Sequence, residues 1–239
     1  MKQGRIAGIL YLLVGITAPI GLVFVPSALI VVGDATATAA RLAASGWLLR
    51  LGIASELVHQ TIFIFLVLAL YRLLKAVDEK LAVLMVVLAL MSVPIVFLNV
   101  LNEAAALLLV SGADFLSVFD KRQLNALALV ALRLHGQGIN VAAIFWGLWL
   151  FPFGALIMRS GFIPRTLGIL LIIAGCAYLA NSSAVLVAPQ YAPLVGPVAV
   201  ALEAGELPII VWLLIWGAKA QPLSPEGRPR GGLAPVTTA

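Results

Sequence analysis

The chain of 239 residues is 63% hydrophobic and only 10% charged, against about 45 to 50% apolar and about 25% charged residues in a soluble domain. A water-soluble fold has no way to hide that much apolar surface, and a net charge of +5 spread without a basic face excludes a nucleic-acid binder. The only cysteine, Cys176, lies inside an apolar run and excludes a disulfide framework or a CxxC metal or redox motif.

A helix needs roughly 20 apolar residues to cross about 30 Å of hydrocarbon. The first apolar run, residues 6–32, follows the charged start Met1 to Arg5. It is too long for a secretory h-region of about 7 to 15 residues and reads as an uncleaved first span. Asp34 then predicts the N-cap of a short interfacial helix through the Ala- and Thr-rich stretch to Ser45, ended by Gly46. Residues 47–74 and 81–110 supply the second and third spans. Asp114 to Leu132 also reads as helical, with Asp120 as a cap, so the fourth span, 134–158, starts outside the bilayer. Residues 163–187 and 194–218 complete six crossings, and the Pro- and Gly-rich end from Pro222 reads as disordered. The expected fold is all-α: a polytopic membrane bundle of six transmembrane helices over residues 1–218, with a cytoplasmic tail at 219–239.

Orientation follows from Lys and Arg. Ten of them fall on one side (Lys2, Arg5, Arg72, Lys75, Lys80, Arg159, Arg165, Lys219, Arg228 and Arg230) and five on the other (Arg41, Arg50, Lys121, Arg122 and Arg133). This bias predicts both termini in the cytoplasm. Trp47, Trp146, Trp149, Trp212 and Trp216 lie in apolar segments, several near the ends, as an interfacial belt would have them.

Ionisable side chains within spans are costly and by default mark a functional site facing the bundle interior. They are Glu56 and His59 on the second span, Glu103 on the third, His135 at the start of the fourth, and Glu203 and Glu206 on the sixth. Asn99, Asn102, Gln137, Asn140 and Asn181 accompany them. Counting about 1.5 Å per residue from Arg72, Arg165 and Lys219 brings Glu56, Asn181 and Glu203 to one level, about 24 Å up. Asn99 and Asn140 come out at about 28 Å, His59 and Glu206 at about 20 Å, and Glu103 and His135 at about 35 Å, near the outer interface. The i, i+3 and i+4 spacings of Glu56 with His59, Asn99 with Asn102 and Glu103, and Glu203 with Glu206 put each set on one helical face. Five helices therefore converge on one polar pocket in the extracytoplasmic half.

Three carboxyls close together in a low dielectric cannot all carry charge. That suits a proton, or a cationic or polar small molecule. The ExxH of Glu56 and His59 is half of the paired motif that di-metal carboxylate bundles use. No HExxH and no GxSxG elbow is present. The only histidines, His59 and His135, differ by about 15 Å in counted depth, which argues against bis-histidine haem ligation. No metal and no cofactor is assigned on these grounds, and the apolar cytoplasmic halves give no through-path for alternating access.

Several segments occur together: RIAGILYLL at Arg5 to Leu13, RLGI at Arg50 to Ile53, LALYRLLK at Leu68 to Lys75, SGADFL at Ser111 to Leu116, LHGQG at Leu134 to Gly138, and RSGFIPRTLGILLIIAGCAYL at Arg159 to Leu179. In these the chain resembles a bacterial membrane-protein family catalogued as domain of unknown function forty-three eighty-six. The resemblance covers nearly the whole chain to about Gly217. It implies an acidic residue at Glu56, paired asparagines at Asn99 and Asn102, and the Gly205–Glu206 pair, while His59 and Glu103 stand outside the pattern. It implies a multi-pass protein of the bacterial inner membrane and carries no established activity. The expected function is a membrane protein that binds or moves a small polar or cationic ligand or a proton, with membrane lipids as its other partners. An intramembrane metal-dependent enzyme and a partner subunit without chemistry are the alternatives.

Overall fold

The computed structural model describes residues 2–217, so the expected tail at 219–239 lies outside the described residues. The first span already departs from regularity. α1 (Lys2–Pro19) passes through a π turn at Ile20–Phe24 into α2 (Val25–Leu29), and the Val25 N–H reaches back five residues to the Ile20 carbonyl. Asp34 then starts α3 (Ala35–Ala44) by accepting from Ala37 N at 2.8 Å. The expected stop at Gly46 is corrected: Ser45, at φ −130° and ψ 37°, breaks the helix, and Gly46 opens α4 (Gly46–Leu74).

Asp78 caps α5 (Glu79–Leu109), accepting from Leu81 N at 3.1 Å. The stretch expected to be helical from Asp114 holds a single 3-10 turn, Asp114–Leu116, before Asp120 starts α6 (Lys121–Leu148). Asp120 and Gln123 form a reciprocal capping box with both bonds at 2.9 Å. α6 is separated from α7 (Leu150–Ser160) at Trp149, because Pro152 has no N–H to offer the Leu148 carbonyl. The continuous run Lys121–Ser160 is 40 residues, about 60 Å. That is twice the hydrocarbon thickness, longer than one crossing requires.

Gly161, at φ 71°, turns the chain into α8 (Arg165–Val187). A 3-10 turn at Pro189–Tyr191 leads to α9 (Ala192–Glu203), a second at Ala204–Glu206 interrupts the last span, and α10 (Leu207–Ile215) completes it. Pro208 again removes the N–H that would continue the ladder.

Between lipid-bathed helices the hydrophobic effect gives little attraction, so close backbone approach has to supply it. α7 and α6 meet α8 through glycines in antiparallel register. A Cβ on Gly154 would stand 2.6 Å from the Gly168 carbonyl, and one on Gly147 2.8 Å from that of Gly175. Gly8 brings α1 equally near the α10 backbone. At the centre, Phe63 and Trp149 pack edge to face at 5.4 Å and Trp149 stacks on Phe153 at 5.2 Å. Trp149 is 2% exposed, so it belongs to the core rather than to an interfacial belt, whereas Trp47 and Trp216 are exposed near helix ends. Outward faces stay apolar, as at Leu98, Leu101 and Val198. Among the described residues six helices are long and apolar enough to cross a membrane, which defines a six-span all-α bundle.

Candidate functional site

Two cavities adjoin inside this bundle, and Leu22, just after the π turn begins, lines both. The inner one, of about 280 Å³, lies between the first, second, fourth, fifth and sixth spans. Its polar groups sit at the break in the last span. Tyr11 on α1 donates a hydrogen bond to Glu206 Oε2, and Tyr178 on α8 stands near the same carboxyl. Glu203, one turn away, lies beside Asn181. His59 closes the cavity from α4. Its Nδ1 faces the Val14 carbonyl at 3.3 Å and, since a carbonyl only accepts, carries the proton there. The rest of the wall is apolar and aromatic, including Phe63, Trp146, Trp149 and Ile210. Gly15, Val200 and Leu207 line the cavity and are themselves exposed, so it is open between the first and last spans.

The second cavity, of about 250 Å³, lies toward the end of the bundle that carries α3, walled by Leu22, Pro26, Leu49 and Leu132. Glu103 and His135 line it. His135 Nε2 stands 3.1 Å from Glu56 Oε2 and 3.9 Å from Glu103 Oε2. Glu56 and Glu103 are each 1% exposed and His135 5%. Asn99 Nδ2 donates to the His135 main-chain carbonyl at 2.8 Å, and Asn102 Nδ2 donates to Asn99 Oδ1 at 3.0 Å, fastening α5 to α6 at this level. Backbone shape makes room for the cluster. A Cβ on Gly21, inside the π turn, would fall 2.7 Å from Glu56 Cγ, and one on Gly138 would fall 2.1 Å from Asn99 Oδ1. A π turn beside a polar centre is a common mark of function.

The single pocket expected from depth counting is thus two. Glu103, His135 and Asn140 line the second cavity, with Glu56 and Asn99 bonded to His135 and Asn102 to Asn99; His59, Glu203 and Glu206 line the first, with Asn181 beside Glu203. Although Glu56 and His59 share a face of α4, their side chains diverge, so the ExxH does not act as a pair. Asn140 spends its amide on the Gly136 carbonyl at 2.8 Å, and Gln137 is exposed.

The counted depths, about 24 Å for Glu56 and about 35 Å for His135, are corrected by the 3.1 Å separation of their side chains. Counting began from anchors at unequal heights. Arg159 pairs with Asp78 at 2.9 Å, level with the loop beyond α4, whereas Arg72 lies inside the last turn of α4. Sequence reasoning missed Tyr11 and Tyr178, which carry no formal charge. It also missed Gln60, fully buried one turn beyond Glu56 with neither amide atom bonded among the described residues, although its spacing gave that signal.

A bundle of six apolar helices enclosing buried carboxyls and histidines defines a multi-pass membrane protein with a polar interior. The chain belongs to the family described as Domain of unknown function (DUF4386), whose family model matches residues 6–217. No curated protein and no solved structure matches it.

Proposed function

We propose that this membrane protein binds, within the bilayer, a small ligand that carries one cationic or hydrogen-bonding group on a largely apolar body. The observation that carries the reading is the inner cavity, apolar over most of its wall, open between the first and last spans, and furnished with Glu206 beside Tyr11 and Tyr178. A buried carboxyl is costly without a partner and selects a group able to pair with it or donate to it. Its position at an interrupted helix resembles the placement of substrate sites in transporters, where unwound backbone lines the cavity. Binding and release through that opening would make the protein a membrane receptor or carrier for such a molecule, in the inner membrane of a bacterium.

Trp146 and Trp149 line the cavity and report on it. Alkylamines and alkyl alcohols of equal length, titrated into the detergent-solubilised protein, should both change tryptophan fluorescence, the amine saturating at lower concentration. Glu206→Gln should remove that preference while folding better than Glu206→Ala, because the amide keeps the Tyr11 hydrogen bond. Equal responses in wild type and both variants would reject the reading. An intramembrane metal-dependent enzyme is the second reading, favoured by the convergence of Glu56, Glu103 and His135.

A further inference from the structure

We propose that Glu56, Glu103 and His135 form a binding site for one divalent first-row transition ion of the Zn²⁺ class. One ligand atom from each lies within 4.8 Å of the other two. Ligands at about 2.1 Å in a tetrahedral shell stand about 3.4 Å apart. The observed separations of 3.1 Å and 3.9 Å at His135 Nε2 bracket that spacing, so a small rotation of Glu103 completes the arrangement.

Charge and unmet bonding point the same way. A His–Glu pair needs one carboxylate, and His135 already has Glu56. Glu103 is a second, equally buried, whose Oε2 has no hydrogen-bond partner among the described residues, as Glu56 Oε1 has none. No Lys or Arg among the described residues pairs with either carboxylate. Two carboxylates and an imidazole balance a divalent ion and use the orphaned oxygens, and the imidazole favours a transition ion over Mg²⁺ or Ca²⁺. Three protein ligands leave a position for water or a substrate oxygen, and the adjoining cavity of about 250 Å³ supplies the space. Asn99 holds the His135 segment to α5 and acts as a positioning residue. The site stands apart from the inner cavity, and failure of either proposal leaves the other intact.

The full-length protein, freed of any affinity tag and stripped with a chelator in detergent, is titrated with Zn²⁺ and separately with Co²⁺. Zn²⁺ should saturate at about one ion per chain and raise the melting temperature. Co²⁺ should give the visible bands of a four- or five-coordinate ion, bleached by Zn²⁺ but not by Mg²⁺. His135→Ala and Glu103→Gln should abolish saturable binding, Asn99→Ala should weaken it about 10- to 100-fold, and Asp114→Asn on the exposed loop should leave it unchanged. Wild-type protein that takes up no saturable ion, or gives no such Co²⁺ bands, overturns the proposal without recourse to any variant. Undiminished binding in both His135→Ala and Glu103→Gln, each monodisperse by size exclusion, overturns it equally.

Discussion

Gly136 and Gly138 sit two residues apart on α6, yet a methyl group at one meets open space and at the other meets Asn99. Gly136→Ala should therefore leave the melting temperature unchanged or raise it slightly, since alanine loses less backbone freedom in a helix. Gly138→Ala should force Asn99 off the His135 carbonyl and cost about 1 to 3 kcal/mol, measured by thermal unfolding in detergent. Equal melts for the two would show that the Asn99 fastening contributes nothing. The sequence exposes Glu56, Glu103 and His135 because a charge-bearing atom in hydrocarbon needs a reason to be there. It does not reveal which of them meet. Partnership depends on side-chain direction to within a few ångströms, whereas helical counting carries an error of a turn for every misjudged anchor, as Arg72 and Arg159 show.

Spans were legible as elements because roughly twenty apolar residues in a row have few other readings. Their interruptions were not. Pro94, Pro152 and Pro208 are chemically alike, but α5 runs unbroken past Pro94 while the fourth and sixth spans break near the other two. A proline announces a missing N–H; whether the chain bends depends on how neighbours satisfy the freed carbonyl, which is tertiary information. The glycine register between the fourth and fifth spans offers a test at this scale. Gly154→Ala drives a methyl to 2.6 Å from the Gly168 carbonyl, where rigid backbone faces rigid backbone. It should cost at least about 1 to 3 kcal/mol in detergent melts, and more than Gly196→Ala on α9, whose methyl would find only Asn181 Oδ1 at 3.8 Å. If Gly154→Ala melts with the wild type, these two spans are not held by close backbone approach.

Across the whole molecule, alternate loops gather at opposite ends, and the Arg159–Asp78 pair ties two of them together. The excess of Lys and Arg on that end predicts that it faces the cytoplasm. In a Cys176→Ser background, Glu79→Cys should resist membrane-impermeant thiol reagents in intact cells. Val118→Cys, 80% exposed near the other end, should label; the reverse pattern would invert the topology. One contact sets a schedule for how the molecule comes into being. Tyr11 and Glu206 are separated by 195 positions, so at about 5 to 20 residues per second the tyrosine emerges roughly 10 to 40 s before its carboxyl is made. Late in that interval, once the fourth span to Ser160 is made, Glu56, Glu103 and His135 are all in the chain, while the inner cavity still lacks the wall that the last span supplies. The newborn chain is thus open to lipid along the seam where the last helix will dock, and whatever occupies that seam first is displaced or enclosed when translation ends.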